Sequence, residues 1–241
     1  MREAIQERQN CEWSLDRLYA QRLLYRRAKT VENWRLALVI LVGVLLLAGL
    51  AVEAASFSQG ATIVVVVLWF VDHVVLARCA GRLKEEAAAI QEDFDCFVLD
   101  MPWPSHLGVE RPTEDRVKEL TRRASSAGLA REELADWYCP VNIPEEAVAA
   151  QLHCQRVNCH WDERLRREWI CLVRSLVGAF IVAGVVAGAA LGVTLLEVVL
   201  GVAAGIRLLA WLFLEQREQL VAQKRVNDLH LYLSRLDGVS T

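Results

Sequence analysis

Residues 36–52 read LALVILVGVLLLAGLAV and residues 175–196 read SLVGAFIVAGVVAGAALGVTLL, with no Asp, Glu, Lys or Arg in either run. About 18 or more consecutive apolar residues can cross the hydrocarbon core of a bilayer as one helix. Arg35 stands before the first run and Glu53 closes it. Each run is followed closely by another. Residues 54–71 are uncharged, with a helical signal that continues to Ala77, and residues 198–214 are interrupted only by Arg207. TIVVVVLWF (62–70) is β-branched enough to read as a buried strand by itself. Its length and its neighbours favour a helix. The connections, EAASFSQG (53–60) and the residues around Glu197, are very short, so each pair of runs forms a hairpin. The expectation is an all-α membrane protein with four transmembrane helices as two hairpins. Its segments are 1–34 (N-terminal amphipathic helix), 35–77 (first hairpin), 78–174 (helical sensor segment), 175–214 (second hairpin) and 215–241 (C-terminal helix).

Outward from these runs the charges fall in blocks. The chain of 241 residues is 54% hydrophobic and 24% charged, and the two classes are segregated. Lys and Arg collect on one side of the spans. Arg17, Arg22, Arg26, Arg27, Lys29 and Arg35 precede the first; Arg78, Arg82 and Lys84 follow the second. Arg164, Arg166, Arg167 and Arg174 precede the third; Arg217, Lys224 and Arg225 follow the fourth. Neither hairpin tip carries Lys or Arg. Both termini and the middle segment are therefore expected in the cytoplasm. VEA (52–54) resembles a cleavage site, but the long polar region before the first run and the length of that run predict an uncleaved anchor. Net charge is -3 with no basic stripe, so duplex nucleic acid is not an expected partner.

Within the spans, ionisable side chains are costly and point to function. Asp72, His73 and Arg207 are the intramembrane polar candidates for a gate. At 1.5 Å rise per residue the depths of Asp72 and Arg207 differ by only about 5 Å, so the two are expected to pair across helices. Snorkelling to the interface and lining a water-filled path are the alternatives. Gly184, Gly188 and Gly192 form overlapping GxxxG units, and Gly201 and Gly205 form another. Glycines four apart let a neighbouring backbone approach, either within the hairpin or between subunits of a homo-oligomer.

The polar segments read as helices. Leu15, Leu18, Tyr19 and Leu23 mark an amphipathic face, and 83–99 continues the second span as an alanine-rich charged helix. MPWPSHLGVERP (101–112) is a loop, and Thr113 is the N-cap of the helix after it. Residues 145–174 run as one helix into the third span, and Ala222, Val226, Leu229, Leu233 and Leu236 form a short coiled-coil-like seam. The seven cysteines lie in or beside segments assigned to the cytoplasm, where reduced thiols are expected. His153, Cys154, Cys159 and His160 resemble a metal cluster in composition only. Five residues turn a helix by about 140°, so the two thiols diverge and no metal is expected. There is no P-loop, GxSxG or HExxH, and neither an enzyme nor a cofactor is expected.

RQN (8–10), AQRLLY (20–25), FDCFVLDMPW (94–103), DWY (136–138) and CQRVNCHWDERLR (154–166) follow in this order around the two hairpins. In that order and placement the chain resembles the SMODS-associating four-transmembrane effectors of bacterial antiviral defence, over nearly its whole length. The resemblance implies a pore-forming effector of CBASS, the cyclic-oligonucleotide signalling systems. An associated nucleotidyltransferase makes the messenger on infection. The effector then permeabilises the bacterial inner membrane, and growth stops by abortive infection. A phosphate-bearing messenger calls for Arg donors and an aromatic face. Arg156, Asn158, Trp161, Arg164 and Arg166 offer those groups, with Trp137 and Tyr138 on the preceding loop. The alternatives to these contacts are ion pairs of Arg156, Asp162 and Arg166 within a helix bundle. The spans are poor in polar residues, which also suits a non-conducting membrane adaptor or scaffold that recruits a partner through its cytoplasmic helices. A transporter fits less well, because no span is broken by proline.

Overall fold

The computed structural model describes residues 1–51, 60, 63–64, 66–68, 70–104, 110–130, 132–138 and 143–191. Some side chains within its helices also fall outside that description, among them those of residues 42–51, Trp161 and Arg166. The described elements are helical, with no strand among them: α1 (Arg2–Gln9), α2 (Glu12–Ala51), a π-helical turn (Val71–Leu76), α3 (Ala77–Leu99), α4 (Glu114–Ser126), a 3-10 turn (Glu132–Leu134) and α5 (Ala147–Leu191). The fourth apolar run, the C-terminal seam, Gly192, Gly201, Gly205 and Arg207 lie outside the described residues. So does most of the first hairpin tip. Among the described residues, no helix is long and apolar enough to cross a membrane.

The chain divides into two compact units, one of Met1–Asn33 with Leu76–Arg156 and the other of Trp34–Val75 with Val157–Thr241. The first unit has an ordinary apolar core. On α3, Ala87, Ile90, Phe94 and Val98 recur at helical spacing and are buried. They meet Ile5 of α1, Leu18, Leu23 and Leu24 of α2, and Val117, Leu120 and Ala124 of α4. Full burial of a side chain such as Phe94 contributes about 1.5–3 kcal/mol. Thr113 caps α4 as the sequence places it, its hydroxyl accepting from the Arg116 amide at 3.4 Å. α3 ends at Asp100, which takes the left-handed conformation (φ 58) and is followed by the Met101 amide donating to the Cys96 carbonyl at 2.8 Å. The N-terminal segment differs from its sequence reading: it is two helices, broken at Asn10 and Cys11. One local and one remote side-chain contact hold the break. The Ser14 hydroxyl donates to the Arg8 carbonyl at 2.6 Å, and the Asn10 side chain leaves its own helix to bond Asp136.

Among the described residues of the second unit the pattern is reversed. Its described buried side chains are Arg35, Asp72 and Ile170, two of the three charged. Large apolar side chains are exposed instead, including Ile63 (65%), Phe70 (56%), Val182 (63%) and Val186 (60%).

Candidate functional site

The short motifs read from the sequence converge in the first unit on α3. Gln9 of RQN lies fully buried and spans Tyr138 of DWY. Its Nε2 donates to the Tyr138 carbonyl at 3.2 Å, and its Oε1 accepts from the Tyr138 amide at 2.8 Å. Asn10 repeats the device on Asp136, its Nδ2 donating to Oδ1 and its Oδ1 accepting from the Asp136 amide, both at 2.9 Å. Asp136 is held at φ 55, a conformation that Asp tolerates better than most residues. Gln9 thus supplies both backbone partners of the buried Tyr138, as a strand would elsewhere, and Asn10 supplies one for the exposed Asp136. This answers the requirement that buried N–H and C=O groups be paired.

Tyr138, fixed in this way, donates its hydroxyl to Asp95 Oδ1 at 2.5 Å and stacks on Phe94 with centroids 6.2 Å apart. Trp137 packs edge-on to the same ring at 6.5 Å. Burial pushes the Asp95 carboxyl up to about 7; the Tyr138 hydrogen bond opposes the shift and the Glu92 charge adds to it. Cys154 on α5 is buried in the same unit. Burial, and then the charge on Asp95, pushes its thiol up to about 12. Such a thiol is a packing residue rather than a nucleophile.

A second polar cluster centres on Arg17, only 2% exposed. Its Nε donates to Asp93 Oδ2 at 2.5 Å, its Nη2 bonds Glu114, and its guanidinium lies 3.1 Å from the Trp13 ring centroid. Arg111 takes the other Asp93 oxygen at 2.6 Å. The Arg17 hydrogen bond holds the Glu114 carboxyl below its ordinary value. Sequence reasoning missed Arg17 as a core residue and counted it among the flanking charges. The signal that would have found it is its place one turn from Trp13 and beside Leu18 on the buried face.

Of the gating candidates, Asp72 and His73 fall among the described residues. Asp72 sits in the π-helical turn and is engaged by Arg35, whose Nε donates to Oδ1 at 2.8 Å with both side chains 7% exposed. The expected partner, Arg207, lies outside the described residues, and the carboxylate is already met by the arginine taken as a flanking charge. π-helical turns inside helices recur at functional sites. His73 is exposed. Gly184 and Gly188 lie on α5.

The five messenger candidates all belong to α5. At about 100° per residue, positions 158, 161 and 164 fall within an arc of about 120°, while 156 and 166 lie on the opposite side. One helix therefore does not bring them to one face. Arg156 belongs to the first unit and the other four to the second. Arg164 donates to Glu168 at 3.2 Å, an exposed pair one turn along the helix. Tyr138, placed near this set by the sequence reading, is instead committed to Asp95 in the core.

A family model described as the SMODS-associating 4TM effector domain matches residues 3–233. The chain belongs to this family. A Bacillus cereus (strain VD146) protein named as a probable CBASS effector molecule is 23% identical over 176 residues, covering 69% of this chain. The chain spans only 57% of that relative's length. No solved structure matches the chain.

Proposed function

We propose that the chain is an anti-phage defence effector that permeabilises the bacterial inner membrane when a cyclic oligonucleotide, made by an associated nucleotidyltransferase, binds its cytoplasmic unit. The observation that carries the membrane half is the reversed pattern among the described residues of the second unit, with Arg35 and Asp72 buried against each other while Ile63, Phe70, Val182 and Val186 are exposed. Large exposed apolar side chains suit a partner or a membrane, and charges that face inward are the rule where lipid surrounds a bundle. The uncharged runs at 36–52 and 175–196 supply the lengths that spanning requires. On this reading four spans form two hairpins with both termini in the cytoplasm, and glycine ridges support a homo-oligomer. Family membership supports the effector role, and the relative's name supports its place in cyclic-oligonucleotide defence. A ligand shifts a closed-to-open equilibrium only by its differential affinity for the two states. A swing from 1:99 to 99:1 takes roughly 5.5 kcal/mol, which one messenger shared between subunits can supply.

The test in cells is propidium entry during co-expression with an active or an inactivated cyclic-oligonucleotide synthase. Entry and growth arrest with the active synthase alone are expected. Membrane-localised protein with dye excluded in both cases would overturn permeabilisation and favour a recruiting adaptor.

A further inference from the structure

We propose that the messenger binds in the cleft between α2 and α4, with Lys118 and Arg122 on its phosphates and Asp16 and Asp115 on its nucleoside donors. This rests on the reading above that a cyclic oligonucleotide switches the effector; the cleft itself is an independent observation.

The cleft has a volume of about 570 Å³ and is lined by Asp16, Asp115, Lys118, Thr121 and Arg122, all within the first unit. Its volume falls inside the range of about 300–1,000 Å³ found for small-molecule sites. The charges on α4 are sorted. Arg116 takes both oxygens of Glu86, at 2.5 and 3.1 Å, and also Glu119 at 2.9 Å; Arg123 bonds Glu119. The side chains of Lys118 and Arg122 form no hydrogen bond or close ion pair among the described residues, although the charges of Glu114 and Glu119 act on them from the same helix. They stand one turn apart, where like charges repel and weaken the helix. Among the described residues, the two cations of α4 without a close ion pair are thus the two that face the cleft. An anion placed between them relieves that repulsion.

The opposite charges narrow the class of ligand. Asp16 and Asp115 in the same cleft work against a compact, highly charged anion such as inorganic phosphate. They accept from ribose hydroxyls or from the amino group of a base. A cyclic oligonucleotide carries separated phosphodiesters, each with a single charge, alternating with such donors. The Thr121 hydroxyl is spent on the walls: it donates to the Asp16 carbonyl at 3.2 Å and ties α4 to α2. A ligand in the cleft therefore touches both helices, and α2 is the helix that carries Arg35.

The experiment is equilibrium binding of a panel of cyclic di- and trinucleotides to the full-length protein in detergent, comparing wild type with Lys118→Gln/Arg122→Gln. Both side chains are exposed, so the double variant should keep the wild-type melting temperature. Loss of two charge-assisted contacts should weaken the bound messenger roughly a hundredfold, with inorganic phosphate failing to compete. Wild-type affinity in the double variant would overturn the cleft while leaving the messenger reading intact. Loss confined to Arg156→Ala would then assign the ligand to α5. No binding of any messenger by wild type would overturn the messenger reading itself and the cleft assignment with it.

Discussion

Asp95→Asn tests how the buried junction is held. The carboxyl lies in the core of the first unit with the Tyr138 hydroxyl on it, and burial raises it from the ordinary 3.8 to about 7. The folded chain therefore keeps a proton that the unfolded chain has already lost between about pH 4 and about pH 7. The stability of the neutral form is fully present below the unfolded value and is lost as pH rises through the folded one. At about 1.4 kcal/mol for each tenfold change in acidity, the displacement bounds the effect at about 4 kcal/mol. A chain of this size shifts by about 2–4 °C per kcal/mol, so wild type should melt up to roughly 10 °C lower at pH 8.5 than at pH 5. Asparagine keeps an acceptor for Tyr138 and does not ionise. In tryptophan-fluorescence melts in detergent, Asp95→Asn should lose most of the pH dependence and exceed wild type at pH 8.5. Parallel pH curves for the two proteins would refute the reasoning, because the dependence would then come from other groups.

Three further outcomes follow from the same geometry. Asp93→Ala removes the buried carboxylate that Arg17 and Arg111 share, and should cost roughly 3–5 kcal/mol in chemical denaturation, whereas Glu114→Gln, on the exposed side of the cluster, should cost much less. Gln9→Ala leaves both backbone groups of Tyr138 unpaired at about 1–3 kcal/mol each, and should show as faster amide exchange at 136–138 with α3 still protected. Asp72→Ala leaves Arg35 buried without its carboxylate and should reduce monodisperse protein in size-exclusion runs; the reversed pair Arg35→Asp/Asp72→Arg should recover part of it.

The regular part of the fold is legible in the sequence because it rests on local period. Ala87, Ile90, Phe94 and Val98 announce α3, and Thr113 announces the start of α4, within a few residues of each other. The buried junction is not legible in that way. Gln9 and Tyr138 are separated by 129 positions, and no periodicity links an amide side chain to a distant backbone. The break at Asn10 follows from the same remote contact. Charge counting also misleads where an arginine has two uses. Arg17 and Arg35 both read as flanking cations, yet each is buried on an aspartate. The motifs that carry the family resemblance are better understood after this: RQN, FDC and DWY are three pieces of one hydrogen-bonded junction rather than three separate surfaces.

Activation of membrane permeabilisation by a cyclic oligonucleotide, as proposed, is tested by dye release from phosphatidylethanolamine–phosphatidylglycerol liposomes carrying the purified protein, with and without a panel of cyclic di- and trinucleotides. Release with one messenger and none without it is the expected outcome. Correctly inserted protein that releases no dye with any messenger would contradict it.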